Sequence, residues 1–311
     1  MKTFMQKFYK AAMYVFTRAA VFYFIVFLAS NVIVDYEKIK FNMQIRVLNS
    51  IMPNSFASLI KATAPEKKHN DTEIVSYIRF YQRVVDFFPE QADARAMLGF
   101  CYFHREDISR AMANYQKAFE INKDVFWTNY NLGILYVLTH QDKEAEVYLK
   151  RATVADSQKT LNFILTSNVI YRSIMVDAGI SVEELKVNLK EGYFQANMLL
   201  LKIYERQKNF SEMILTAQNA LKTNLPHKEF FYYTIGFALY QLKDYTQARL
   251  YFQECLKINS SLSDAYQGLA LTFQMLGKDK AAVAALKKSA SAQKVTIASF
   301  MQFENFGPRI F

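Results

Sequence analysis

The chain is poor in the residues that break or cross-link structure. It has 8 glycines, 5 prolines and 2 cysteines in 311 residues. So few backbone breakers argue for long helices joined by short connections, and against a loop-rich fold. Cys101 and Cys255 lie roughly 150 residues apart and give no disulfide framework; buried free thiols are expected. The four histidines (His69, His104, His140 and His227) are scattered, with no HExxH run and no His/Cys cluster, so no metal site is expected. A glycine-rich phosphate loop, a GxSxG elbow and a carboxylate pair in an apolar setting are missing too. Glu183 and Glu184 open a helix, where a solvated pair favoured by the helix dipole is the ordinary explanation. The expectation is therefore a protein without cofactor and without catalytic residues.

What the chain does have is apolar and aromatic mass: 52% hydrophobic residues, with 27 Phe and 20 Tyr but one Trp. That supply suits close packing of helix on helix. The net charge of +10 is unevenly placed. Residues 1–34 carry +4 and residues 35–70 carry +3, which leaves only +3 over the remainder. A nucleic-acid surface needs its excess charge on the folded domain, so nucleic acid is not an expected partner.

A pattern of small and bulky residues recurs at a 34-residue step. Leu98, Gly99, Tyr102, Ala111, Tyr115 and Ala118 are followed by Leu132, Gly133, Tyr136, Ala145, Leu149 and Ala152. It returns as Ile235, Gly236, Leu239, Ala248, Phe252 and Cys255, then as Leu269, Ala270, Phe273, Ala282, Leu286 and Ser289. Each set spaces apolar residues for two short helices with a tight turn between them, the small residues marking where the helices meet. A helix pair repeated at that period makes a solenoid. Asp107, Asn209 and Asp244 fall just before the second helix of their pairs, with Asp142 and Asp279 one residue later; each is a candidate helix cap. Between the clear units, residues 160–193 and 194–227 read as weak units that keep the phase, the first with helical patterns at 160–176 and 181–192.

The pattern resembles the tetratricopeptide repeat (TPR) family over roughly residues 58 to 296. The resemblance implies an all-α fold: a right-handed superhelical solenoid of TPR helix pairs, here preceded by one transmembrane helix. It implies a binding scaffold and names no partner. In this family the inner, concave face is built from the first helix of each pair. That register assigns partner binding to Phe100, Phe103, Trp127, Tyr130, Ile134, Val137, Phe230, Tyr233, Phe237 and Tyr240, with His104, Met198, Lys202 and Arg206 beside them. The Lys/Asn clamp with which some relatives hold acidic tails is absent. An aromatic groove suits an apolar helix or an extended peptide. The plainer alternative is that these rings pack between helices or against residues 35–70.

Residues 19–34 carry no charge, and with residues 11–17 they make a 24-residue stretch interrupted only by Arg18. At ~1.5 Å per residue this spans ~36 Å, enough for a ~30 Å hydrocarbon core, with the arginine reaching to the interface. An uncleaved single-pass anchor through residues 11–34 is expected, a signal peptide being the rival. The bias of positive charge before the stretch puts the N-terminus in the cytoplasm and, in a bacterium, the repeats in the periplasm, at the inner (cell) membrane. Residues 39–47 read as a continuing helix, with a partner-paired strand as the alternative. The domain organisation is then a basic N-terminus and anchor (1–34), a juxtamembrane segment and linker (35–71), the solenoid (72–296), and a capping helix and tail (297–311) in which Phe300, Phe303 and Phe306 cover the last repeat. Functionally this reads as a membrane-anchored TPR scaffold that holds or assembles protein subunits of a membrane complex. The alternatives are a chaperone-like receptor and a cytosolic targeting receptor of reversed topology.

Overall fold

The structure is a computed structural model that describes residues 71–291, 296–300 and 308–309. The expected anchor, the segment 39–47, Phe303 and Phe306 lie outside the described residues. Among the described residues no helix is long and apolar enough to cross a membrane.

Every described element is a helix: α1 (Asp71–Phe87), α2 (Ala92–His104), α3 (Ile108–Ile121), α4 (Phe126–Leu138), α5 (Asp142–Val154), α6 (Ser157–Thr166), α7 (Val169–Asp177), α8 (Val182–Arg206), α9 (Phe210–Leu221), α10 (Lys228–Gln241), α11 (Tyr245–Ile258), α12 (Ser263–Met275), α13 (Asp279–Ser291) and the short α14 (Ile297–Phe300). From α1 to α5 and from α8 to α13 each helix packs on the next, the arrangement of an all-α solenoid. The small residues do what the repeat pattern requires. A Cβ on Gly99 would sit 2.7 Å from the Tyr115 ring, on Gly133 2.6 Å from Leu149, and on Gly236 3.0 Å from Phe252. The first helix of each pair thus lies against the bulky residue of the second, with Ala111, Ala145 and Ala248 fully buried beside the contact. Tyr115 and Phe252 are themselves buried, each stabilising its pair by ~1.5–3 kcal/mol.

The turns inside the pairs are built alike. Asp107 Oδ1 accepts from Arg110 N at 3.0 Å, Asn209 Oδ1 from Glu212 N at 3.3 Å and Asp244 Oδ1 from Gln247 N at 3.0 Å. Those three cap their helices as expected, by satisfying N–H groups that the helix leaves unpaired. Asp142 and Asp279 instead begin α5 and α13 as helical residues. The Asp142 carboxylate bonds to another helix altogether, taking a two-pronged bond from Arg206 of α8, with Nε at 2.9 Å.

That ion pair marks the main departure from the expected repeat phase. The weak units break at 193/194 in sequence, yet α8 runs unbroken for 25 residues through that point. Its second half packs on α5, the place the first helix of the next repeat occupies. Lys150 and Glu146 of α5 pair at 2.8 Å, Gln207 donates to Glu146 at 3.3 Å, and the Lys150 ammonium lies 5.6 Å from the Tyr204 ring centre. The array therefore passes from α5 directly to α8. Helices α6 and α7 form an excursion from it, α6 against α8 and α7 reaching back to α2. The pattern at 160–176 is divided at Asn168, whose side chain accepts from Tyr171 N at 3.0 Å and starts α7.

Candidate functional site

First helices of neighbouring pairs touch one another, α4 with α8 and α10 with α12, and Phe194 of α8 meets the Phe230 and Phe231 rings of α10. The assigned residues divide along this layer of first helices into two groups.

In the earlier pairs the rings are enclosed. Trp127 and Tyr130 are 0% exposed and Ile134 is buried with them; Phe100 is buried with its ring 4.3 Å from that of His104, while Phe103 and Val137 are half-buried. The enclosure comes from α8. Gly192 has no side chain, which lets α8 cross so close that an added Cβ would lie 2.6 Å from the Trp127 ring. Tyr193 stacks on Phe126 at 4.1 Å, and the Tyr130 hydroxyl donates to Gln195 Oε1 at 2.6 Å.

In the later pairs the layer stays partly open. Tyr233, Phe237 and Tyr240 are half-buried and Phe230 is buried. Met198, Lys202, Glu205, Tyr233 and Phe237 line a groove with a cavity of ≈ 80 Å³. Lys202 and Glu205 pair at 2.8 Å across its rim. Burial, with Asp264 and Glu205 nearby, pushes the Tyr233 phenol up, so it remains a neutral hydrogen-bonding group. Ile297 also lines this groove, and its N–H donates to Asp264 Oδ2 at 2.7 Å. Arg206 lies away from the groove in its pair with Asp142.

A larger cavity of ≈ 490 Å³ opens between the α3–α4 connection, the end of α5, and the excursion. Lys123, Arg151 and Lys159 line it with Asp124 and Asp156, and no histidine or cysteine is among its walls. Both cysteines are buried and unpaired, and burial pushes the Cys255 thiol up to about 12 and Cys101 higher still, leaving neither reactive. No group of His, Cys, Asp and Glu able to hold a metal occurs among the described residues.

Sequence reasoning passed over Asn131. It is 1% exposed on α4, and its amide bonds to Tyr115 and to the main chain of Arg309. The signal was present: Asn131 shares a helical face with Trp127 and Ile134, a polar residue in an otherwise apolar stripe.

Residues 92–125 and 229–262 match tetratricopeptide repeat family profiles, and these spans coincide with α2–α3 and α10–α11. The chain carries tetratricopeptide repeats. A 63-residue stretch is 38% identical to the general transcriptional corepressor ssn6 of Schizosaccharomyces pombe, taking up 19% of this chain and only 6% of that protein's length. Similar solved structures include a crystal structure of MamA (18% identical, TM-score 0.46, covering 62% of this chain and 93% of that one). Another is YrrB, described as a TPR protein with an unusual peptide-binding site (16% identical, TM-score 0.49, 69% and 93% covered). The PilF protein of Pseudomonas aeruginosa is a third (17% identical, TM-score 0.43, 66% and 78% covered). At such identities and scores these likenesses say nothing of function.

Proposed function

We propose that the protein is a non-enzymatic scaffold, held in a membrane through residues 11–34, whose TPR helices bind and hold protein subunits of a membrane complex. The repeats suit protein–protein interaction, and the observation that carries the reading is the half-open aromatic groove on their inner layer. Phe237 and Tyr233 present apolar surface there next to the Lys202–Glu205 pair, so a partner segment gains both buried area and a polar anchor. An anchor in the membrane plane raises the effective concentration of partners that are themselves membrane-bound. The charge bias supports an N-terminus in the cytoplasm and repeats on the far side, the periplasm of a bacterium.

The test is purification of the tagged full chain from its own membranes in mild detergent, with bound proteins identified by mass spectrometry. A fixed set in near-equal amounts is expected. A diffuse set of substoichiometric clients would replace the scaffold with a chaperone-like receptor. Tyr233 and Phe237 both pack against the core around Phe252, so the groove is probed by Phe237→Ala with Lys202→Ala, with the melting temperature as the control for packing. This variant should melt within a few degrees of wild type and lose most of the co-purified set. Full retention would remove the groove as the binding surface.

A further inference from the structure

Asn131 holds the main chain of Arg309 by both of its polar groups. The Arg309 N–H donates to Asn131 Oδ1 at 2.8 Å, and Asn131 Nδ2 donates to the Arg309 carbonyl at 2.7 Å and to Tyr115 Oη at 3.1 Å. A residue offers its N–H and C=O to one side together when its backbone is extended, as along a strand edge. The amide therefore selects an extended segment whatever its side chains. Selectivity comes from the neighbours. Pro308 is buried, and a proline there leaves no N–H without a partner inside the protein. Tyr130 is the neighbour of Asn131 in α4, and its buried hydroxyl leads through Gln195 to the Glu191 carboxylate; the charges of Arg309 and Glu191 shift its phenol in opposite directions. Glu191 is held by Gln195, whose Nε2 donates to it at 3.2 Å, and Gln195 is in turn the acceptor of the Tyr130 hydroxyl.

We propose that this is a binding site for an extended peptide carrying a proline followed by a basic residue, and that the chain keeps it filled with its own Pro308 and Arg309. A partner segment of the same chemistry must displace them, so the segment sets the threshold for binding there. This adds to the inner layer proposed above a second station on a different helix pair; the Phe237 groove and the Asn131 site can fail their tests independently.

The experiment uses the full chain and, as probe, a fluorescent synthetic peptide with the sequence of residues 303–311. In one variant Pro308→Gly and Arg309→Pro together empty the site, the second removing the main-chain N–H that Asn131 accepts. The probe should bind that variant at least 10-fold more tightly than it binds wild type. A probe methylated on the Arg309 backbone nitrogen should lose that affinity, because the donor to Asn131 is gone while the side chain remains. Adding Asn131→Asp to the emptied variant removes the Nδ2 donor at nearly constant shape and should lose it too. If Asn131→Asp fails to fold, the methylated probe still decides. Equal affinity for wild type and emptied variant, no detectable binding to either, or indifference to methylation would overturn the proposal. So would a wild-type dimer in sedimentation that dissociates in the emptied variant, since the segment would then fill a neighbour's site.

Discussion

Asp93 sits near the start of α2, where α7 folds over it, half-buried and with the Asn168 amide nearby. Burial pushes its carboxyl from 3.8 up to about 6, and Asn168 opposes only part of that shift. A raised carboxyl pKa means that the folded chain binds the proton more tightly than the unfolded chain. Ionisation therefore disfavours the folded state: the penalty is complete above about pH 6 and is relieved as pH falls from there towards 4. Asp93→Asn keeps the shape and removes the charge. It should stabilise the protein at pH 7.5 by roughly 1–2 kcal/mol, a figure reduced from the full linkage value because the side chain is partly solvated. Melting temperatures across pH 4–8 check this. Wild type and variant should converge on the acidic side, and parallel curves would clear Asp93 of the effect.

At the scale of the element, the pair turns show where scarce glycine has a structural consequence. The residue that reverses the chain after the first helix is left-handed at Glu106, His140, Lys208 and Lys243, with φ between 55° and 66°, and only the last pair uses glycine, Gly277 at 68°. The following N–H then reaches back five residues, as Asp107 N does to Tyr102 O at 2.9 Å and Asp244 N to Leu239 O at 2.9 Å. A side chain in that conformation costs about 1–2 kcal/mol, and glycine returns only part of the difference through its extra freedom when unfolded. Lys208→Gly and Lys243→Gly should therefore each stabilise the chain by roughly 0.5–1 kcal/mol, read as a rise of about 2 °C in melting temperature. A fall in both would mean that the lysine side chains make contacts that outweigh the strain.

The same elements show what could be read from the sequence. The pairs at 92–125 and 229–262 were legible because Gly99 and Gly236 had to face Tyr115 and Phe252, a steric demand that leaves its mark at fixed spacing. The capping residues Asp107, Asn209 and Asp244 were legible for the same local reason. The unbroken α8 was not: Val182 to Arg206 contains no proline, and its one glycine, Gly192, serves a contact with Trp127 some 65 residues earlier in the chain. Helix propensity is local, whereas the decision to stack α8 on α5 rests on pairs such as Arg206 with Asp142, which no periodicity encodes. Of the candidate site, the aromatic stripe was visible in its spacing. Its division into an enclosed half and an open half was not, because α8 encloses Trp127 and Tyr130 from far along the chain.

Over the whole molecule, a repeat array transmits stability only between neighbouring helices, so its two ends respond independently. The excursion changes that. Helix α7 packs on α2 while α6 packs on α8, which joins pairs that the array itself connects only through α3, α4 and α5. Tyr171 is central to the join: it is buried, its N–H donates to Asn168 Oδ1 at 3.0 Å, and it lines the cavity beside the α3–α4 connection. If α6 and α7 act as a brace, weakening them must loosen α2 along with α7. Tyr171→Ala should cost on the order of 3 kcal/mol locally, and hydrogen exchange should accelerate in α7 and α2 by similar factors. Helices α10 to α13 lie beyond α8 in the array and should keep their wild-type rates. Acceleration confined to α7 would make the excursion a passive insertion. Acceleration spread evenly to α13 would mean that the array opens as a single cooperative unit, and the brace would have nothing to join.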